Sequence, residues 1–176
     1  MTRAWISLGG NLGDPRASME AALADLDELE STRVAAVSPA YRTAPWGVTD
    51  QPDFLNAVAE LETALTPQAL LAALLDIESR LGRRRDAGRW GPRRIDLDLL
   101  VYDDCVIDEP DLKLPHPHLP ERAFVLVPLN DLAPELVVPG IGRVDESLAA
   151  LDDKQIESVK RAQPLAWPPD RRPQQS

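Results

Sequence analysis

Two helix starts of the same kind divide this chain of 176 residues and limit the folds that are open to it. Asp14-Pro15 and Thr66-Pro67 each place a capping side chain directly before a proline, which is typical of the first turn of a helix. Apolar residues recur at helical spacing after each start, and the second pattern stops at Gly82. The segments outside these two helices must therefore supply the strands.

Four segments have the alternation or the apolar content of strands, and they are residues 3–9, 33–42, 54–61 and 95–102. The resulting order, strand-helix-strand-strand-helix-strand, is the split βαβ arrangement. We therefore expect an α+β, ferredoxin-like βαββαβ core with an antiparallel or mixed sheet, two helices on one face, and a C-terminal extension. One domain is predicted over residues 1–162, and the proline-rich tail over 163–176 is expected to be disordered.

The charge of the chain is unevenly distributed. A net charge of −10 argues against a nucleic-acid binder, because such proteins neutralise many phosphates. Seven arginines nevertheless fall within residues 80–94, a window that carries +6 while the rest of the chain carries −16. One short basic patch on an acidic protein favours a small polyanionic ligand over a long one.

The sequence shows no signal for a membrane or for secretion. No apolar run approaches the roughly 20 residues that span a bilayer, and the first residues show no signal-peptide pattern. Cys105 has no second cysteine with which to form an internal disulfide, and we interpret it as a small strand residue. We therefore expect a cytoplasmic protein, a monomer, that binds neither membranes nor nucleic acid.

Asp96 and Asp98 lie two residues apart in the last predicted strand, so their carboxylates point to the same side. Leu97, Leu99 and Val101 then take the opposite side, where they can be buried. Two carboxylates at this spacing repel by about 4 kcal/mol at an effective dielectric of about 20. Magnesium, which takes one or two carboxylates together with phosphate oxygens, would relieve that repulsion. The alternative is a solvent-facing pair on an edge strand.

The basic window offers the phosphate ligands that a metal-bound nucleotide needs. Arg83, Arg85 and Arg93 precede the aspartates closely, and arginine meets phosphate with two hydrogen bonds. Glycines between them predict a mobile lid that closes over substrate, and Trp90 is expected to cover a ligand. The alternative is a solvated run of charge.

Glu78 lies on the same helical stripe as Leu71, Leu74 and Leu81. A carboxylate on a core-facing stripe needs a partner, and the candidates are a loop arginine or a backbone amide. The alternative is a partly exposed position at the edge of the stripe.

His116 and His118 stand two apart in a loop with four prolines. Zinc would need carboxylates to complete its shell, because the chain has no third histidine. A histidine that donates to a phosphate or a leaving group is the better interpretation, with Arg122 close enough in sequence to join it.

Three classes of function explain some of these residues. The first is an enzyme that moves a phosphate-containing group from a magnesium-bound nucleotide. The second is a non-catalytic ferredoxin-like module that binds a small anion, but it does not account for paired aspartates together with Trp90. The third is a metal-dependent nuclease, which the charge of −16 outside the basic patch disfavours because it repels DNA.

Four stretches of the sequence resemble, in order, the motifs of the 6-hydroxymethyl-7,8-dihydropterin pyrophosphokinase (HPPK) family: residues 8–14, 51–57, 89–98 and 115–124. The resemblance covers about residues 3–155. Its most specific part is Arg-Trp-Gly-Pro-Arg at 89–93, which leads into Asp-Leu-Asp at 96–98.

The resemblance implies an enzyme of folate biosynthesis. ATP would give its β,γ-diphosphate to the hydroxymethyl group of the pterin, and AMP would leave. Asp96 and Asp98 would hold two magnesium ions, and Arg83 and Arg93 would act with them in catalysis.

The resemblance also implies the remaining contacts of the two substrates. For ATP it implies Glu78, Arg83, Arg85, Arg93, Ile95, Lys113, His116 and Arg122. For the pterin it implies Thr43, Pro45, Trp46, Phe54, Asn56, Trp90 and Phe124. Two positions depart from the residues that are frequent in the family, Trp46 near the pterin and Leu75 on the nucleotide side.

Overall fold

The computed structural model describes residues 1–45, 50–82 and 95–168. In chain order the elements are β1 (Thr2–Gly10), α1 (Pro15–Asp27), β2 (Thr32–Val37), β3 (Tyr41–Thr43), β4 (Phe54–Thr63), α2 (Pro67–Gly82), β5 (Asp96–Tyr102), β6 (Ile107–Asp108), β7 (Lys113–Leu114), a 3-10 turn (Leu119–Glu121), α3 (Ala123–Leu132), β8 (Val137–Val138), β9 (Gly142–Arg143), α4 (Val144–Ala149), α5 (Asp153–Glu157) and β10 (Lys160–Arg161).

The main sheet is antiparallel throughout, in the order β10-β3-β4-β1-β5, with β2 also paired to β4. Strand β4 lies between β1 and the β2/β3 pair, so each predicted helix connects strands that are not neighbours. This confirms the α+β prediction, and the strand order is consistent with the ferredoxin-like arrangement. Two small hairpins, β6-β7 and β8-β9, lie outside this sheet.

The predicted strand over 33–42 is two strands laid end to end along β4. Proline has no amide hydrogen, and Pro39 interrupts the ladder between them. Ser38 fills the gap, because its amide donates to the Val58 carbonyl at 2.8 Å and its hydroxyl accepts from the Val58 amide at 2.9 Å. The break leaves β3 as a separate strand of three residues beside the start of β4.

Both predicted helix caps are present. The Asp14 carboxylate accepts from the Ala17 amide at 3.1 Å, and the Thr66 hydroxyl accepts from the Ala69 amide at 3.1 Å. The two helices pack on one face of the sheet, as expected, around a core that includes Ile6, Leu8, Leu23, Leu26, Leu61, Leu74, Ile77 and Leu97. Helix α3 packs on the opposite face, in a second core that includes Trp5, Val58, Leu100, Val101, Val125 and Leu129.

Strand β5 contains a bulge that changes which side chains share a face. Trp5 pairs with Val101 while Ile6 pairs with Leu99, so Leu100 is an extra residue. The expectation that Val101 lies with Leu97 and Leu99 is therefore wrong, since Val101 belongs to the α3 core. The Leu100 carbonyl accepts a hydrogen bond of 2.9 Å from the amide of His116, which anchors the histidine segment to the strand.

The C-terminal segment is packed against α1 as far as the structure describes it. Leu165 is buried in the α1/α2 core, and Trp167 packs against the same core. The expectation of disorder is therefore wrong for residues 163–168, while 169–176 lie outside the described residues. Cys105 is half-buried in the turn after β5 rather than within a strand.

No helix in the described ranges combines the length and the apolar content that crossing a bilayer requires.

Candidate active site

The predicted pterin and metal residues form a row across one face of the sheet. Gly9 pairs with Asn56 on one side and with Asp96 on the other, and Asn56 pairs in turn with Tyr41. Side chains at directly paired positions point to the same face. Asp98 pairs with Ser7, one step along the same face. Residues from four strands thus converge on the face that α3 covers.

The two aspartates are accessible from this face. Asp96 is exposed at the start of β5 and Asp98 is half-buried two residues later. Among the residues that the structure describes, no group of three or more histidines, cysteines or acidic residues could hold a metal ion. A cation bound here would therefore need phosphate oxygens or water in addition to the two carboxylates.

Gly9 leaves room for the side chain of Asn56. A Cβ atom at position 9 would lie 2.7 Å from the Asn56 Oδ1 atom, which is closer than real Cβ contacts allow. The amide nitrogen of the same side chain donates to the Thr43 hydroxyl at 3.3 Å. The three residues therefore fix one amide in the middle of the row, with its polar edge held by neighbouring strands.

The two phenylalanines of the predicted pterin site lie on β4 and on α3, which packs against β4. Phe54 is half-buried at the start of β4 and pairs with Thr43. Phe124 is the second residue of α3, and the guanidinium of Arg122 lies over its ring at 5.7 Å from the centroid. Pro45 is half-buried two residues after β3.

A cleft of about 270 Å³ opens next to Asp98, beside the outermost strand β5. Its polar lining includes Glu78, Asp98, Asp111, Lys113 and His116. Its apolar lining includes Leu71, Leu75, Leu112 and Pro117. Leu75 is 53% exposed, so its side chain is available to a ligand rather than consumed by the core.

One partner of Glu78 is a backbone amide, one of the two kinds of partner named from the sequence. Its carboxylate accepts a hydrogen bond of 2.7 Å from the amide of Leu97, the residue between the two aspartates. Helix α2 is thereby attached to the strand that carries the two aspartates.

His116 lines the cleft, and a hydrogen bond to its ring sets which nitrogen carries the proton. Its Nδ1 atom accepts from the backbone amide of His118 at 3.2 Å, so the neutral ring carries its proton on Nε2. Burial lowers the pKa of His116, the positive charge of Arg122 and the neighbouring His118 act in the same direction, and Asp98 opposes them. The ring is therefore predominantly neutral at pH 7.

The side chains of two residues of the predicted ATP site are engaged with other residues of the protein. Lys113 is exposed on β7, where its ammonium group forms an ion pair of 3.1 Å with Asp108. Ile95 is 1% exposed and its side chain belongs to the α1/α2 core, so a contact with nucleotide would come from its backbone. Five predicted residues, Trp46, Arg83, Arg85, Trp90 and Arg93, lie outside the described residues.

Reasoning from the sequence did not identify Asn11 as a site residue. Its side chain is buried and donates to Gln51 Oε1 at 3.3 Å and to the Pro52 carbonyl at 3.4 Å. The glycine turn is thereby attached to the segment that leads into β4. The signal was the pair of motifs at 8–14 and 51–57, which implied a connection without showing which side chain makes it.

Comparison with known proteins identifies the family. Residues 5–134 match the model of the family described as 7,8-dihydro-6-hydroxymethylpterin-pyrophosphokinase (HPPK). A 2-amino-4-hydroxy-6-hydroxymethyldihydropteridine pyrophosphokinase of Methylorubrum extorquens is 49% identical over 160 residues, covering 91% of this chain and 100% of that protein. The protein of the same name from Pseudomonas aeruginosa is 48% identical over 160 residues, covering 91% and 98%.

Solved structures agree on the fold. A crystal structure of wild-type Plasmodium falciparum HPPK-DHPS with SDX-DHP superimposes with a TM-score of 0.69 at 16% identity, covering 92% of this chain. The chain spans 47% of that longer protein. At this identity the likeness shows the fold alone, whereas the family match and the close relatives extend to activity. The chain belongs to the HPPK family, and it is a pyrophosphokinase of folate biosynthesis that uses ATP as co-substrate.

Proposed function

We propose that this chain carries out diphosphate transfer from ATP to 6-hydroxymethyl-7,8-dihydropterin on the α3 face of the sheet. The observation that carries the proposal is the row of paired positions from Asp96 through Gly9 to Asn56. It sets a pair of carboxylates suited to a metal-bound triphosphate directly beside an amide suited to a heterocycle. The nucleotide cleft and the pterin contacts meet at this row.

Asp96 and Asp98 are proposed to hold two magnesium ions. The donor set fits, because Asp96 is exposed, Asp98 is half-buried, and both lie on the same face of β5. Two carboxylates leave coordination positions for phosphate oxygens, as magnesium requires. When bound, the ions would neutralise charge on the triphosphate and on the diphosphate in transfer.

The nucleotide is proposed to lie in the cleft beside β5. His116, with its proton on Nε2, would donate to a phosphate oxygen, and Lys113 and Arg122 would add positive charge. Leu71 and Leu75 offer an apolar wall for the base. Glu78 contributes by holding the amide of Leu97, with Ile95 acting through its backbone, and Arg83, Arg85 and Arg93 complete the phosphate contacts.

The pterin is proposed to lie on the other side of the aspartates. Asn56, supported by Thr43, would hydrogen-bond the polar edge of the ring. Phe54 and Phe124 would flank its faces, and aromatic rings favour such offset contacts. Pro45 and Trp46 would border the pocket, and Trp90 would cover the pterin after closure of the lid.

The protein would contribute to the reaction mainly by positioning the two substrates and by stabilising negative charge. The hydroxymethyl oxygen of the pterin attacks the β-phosphorus of ATP and loses its proton. The bond from that phosphorus to the oxygen shared with the α-phosphate breaks, and AMP leaves with the electron pair. Arginines would stabilise the negative charge that spreads over the transferred group, and Asp96 and Asp98 would hold the magnesium ions that supply further positive charge.

The enzyme is proposed to act as a cytoplasmic monomer with no nucleic-acid or membrane partner. The net charge of −10 supports the absence of a nucleic-acid partner, because it opposes phosphate binding outside a local site.

Product identification tests the function. ATP, magnesium and 6-hydroxymethyl-7,8-dihydropterin are incubated with the enzyme and the nucleotides are separated by chromatography. The proposal expects AMP and the pterin diphosphate in equal amounts. ADP as the sole nucleotide product would refute it.

A further inference from the structure

The strand that carries Thr43 is short and is held from both sides. β3 has three residues, and its inner edge pairs with β4 at Phe54–Asn56. Its outer edge pairs with β10, where Arg161 lies opposite Tyr41, and the amide of Ala162 donates to the Ala40 carbonyl at 2.9 Å. Without β10, three residues would form the edge of the sheet beside the pterin site.

The segment that follows β10 is fixed to α1. The guanidinium of Arg16 donates to the Pro164 carbonyl at 2.8 Å, and the Glu20 carboxylate accepts from the Ala166 amide at 3.0 Å. Leu165 between them is 7% exposed. Residues 160–167, which we call the C-terminal brace, are therefore attached to the sheet at one end and to a helix at the other.

A cluster of three side chains joins the brace to α3. The Tyr41 hydroxyl donates to the carboxylate of Asp131, near the C-terminal end of α3. The guanidinium of Arg161 lies over the Tyr41 ring, 6.0 Å from its centroid. The Tyr41 side chain is 5% exposed, so this hydrogen bond is made at the end of a ring that is packed on all sides.

This cluster joins the strand next to Asn56 to the helix that carries Phe124. Tyr41 pairs directly with Asn56, and Thr43, two residues on, accepts from the same asparagine. Asp131 belongs to the helix whose first turn carries Phe124. The Tyr41–Asp131 bond therefore links the strand beside Asn56 to the helix whose first turn carries Phe124.

We propose that Tyr41, Asp131 and Arg161 are positioning residues that hold β3 and α3 at the spacing that pterin binding requires. None of the three needs to touch the substrate. The proposal rests on the proposed function, because it takes Asn56, Thr43 and Phe124 as pterin contacts. ATP binding should not depend on these three residues, because the proposed ATP cleft lies beside β5 at the opposite edge of the sheet.

The test compares Tyr41→Phe, Asp131→Ala and the double variant in the full chain. Binding of the pterin is measured by calorimetry with magnesium and a non-hydrolysable ATP analogue, and KM for each substrate is measured from AMP release. We expect each single variant to weaken pterin binding about tenfold while KM for ATP stays unchanged, since loss of a hydrogen bond to a charged group has this size. The double variant should be no weaker than either single variant, because both remove the same bond.

Lys160→Ala is the matched control, since Lys160 is exposed on β10 beside Arg161 and the structure shows no side-chain partner for it within the described residues. It should bind pterin as the wild type does. Unchanged pterin binding in Tyr41→Phe and Asp131→Ala would overturn the proposal, as would an equal rise in KM for both substrates. Wild-type AMP release is measured first, so a failure of the proposed function is seen separately.

Discussion

The carboxylate of Glu78 and the backbone amide of Leu97 form a hydrogen bond of 2.7 Å that joins α2 to the strand of the two aspartates. Leu97 belongs to β5, the outermost strand on that side of the sheet, where an amide that points outward has no neighbouring strand to bond. The Glu78 carboxylate accepts the hydrogen bond that a carbonyl of a neighbouring strand would accept inside the sheet.

Replacing Glu78 by alanine removes the carboxylate that accepts the hydrogen bond from the Leu97 amide. We expect Glu78→Ala to lower the free energy of unfolding by about 1–3 kcal/mol, and Glu78→Gln to lower it less because glutamine still offers an oxygen. Urea denaturation of the two variants measures the difference. Equal losses in both would mean that the hydrogen bond to Leu97 does not stabilise the fold.

Gly9→Ala tests the packing of the Asn56 amide. The added Cβ would meet Asn56 Oδ1 at 2.7 Å, and a terminal amide can rotate away at little cost to the fold. We expect the stability to change by less than about 1 kcal/mol while pterin affinity falls at least about tenfold, because the amide no longer points as the ring edge requires.

Gly82→Ala is its matched control, since a Cβ atom at that position meets nothing within 4 Å. Stability by urea denaturation and pterin affinity by calorimetry are measured for both variants. Wild-type pterin affinity in Gly9→Ala would show that Asn56 is not a contact of the pterin.

Much of this architecture follows from local signals in the sequence. The caps at Asp14 and Thr66 are interactions within one helical turn, so a few residues suffice to predict them. The break at Ser38 was missed because it depends on a hydrogen bond to Val58 that only the assembled sheet supplies. The bulge at Leu100 was missed for the same reason, since a strict alternation cannot reveal one extra residue.

Some residues of the candidate site could be predicted from the sequence, and the burial of others could not. Residue types and the family resemblance identified Asp96, Asp98 and Asn56, and the structure brings all three onto one face. The buried position of Ile95 and the ordered residues 163–168 were not foreseen. The attachment of this segment depends on contacts with Arg16 and Glu20 of α1 and on the burial of Leu165, and the composition of the segment does not reveal these contacts.

The pH dependence of stability should report the burial of His116. Its pKa is lowered by burial first and by Arg122 and His118 next, so the unfolded chain takes up this proton at a higher pH than the folded protein does. The contribution of His116 to the free energy of unfolding is therefore fully present above about pH 6.5 and is lost as the pH falls below that value.

His116→Gln removes that titration. Both proteins are measured in buffer with a metal chelator. Between pH 7.5 and pH 5, the free energy of unfolding of the wild type should fall more than that of His116→Gln. Urea denaturation at several pH values measures it. A difference that stays constant over this range would show that the folded protein does not disfavour the charged imidazole.

Leu165→Ala tests whether the C-terminal brace contributes to the fold. Leu165 is 7% exposed in the α1/α2 core, and truncating a buried leucine costs about 2–5 kcal/mol. The expected loss lies at the lower end of that range because the site is at the rim of the core. Val106→Ala, at a position 72% exposed, is the control and should change stability little. Equal urea midpoints for both variants would show that the segment makes no net contribution.

The most direct test of the account is AMP formation by Asp98→Asn. The substitution keeps the size of the side chain and removes one of the two charges proposed to hold magnesium, so AMP formation with saturating ATP, magnesium and pterin should fall at least about 100-fold. Asp104→Asn, an exposed aspartate in the turn after β5, should retain wild-type activity. AMP formation by Asp98→Asn at the wild-type rate would contradict the assignment of the aspartate pair as the metal site of diphosphate transfer.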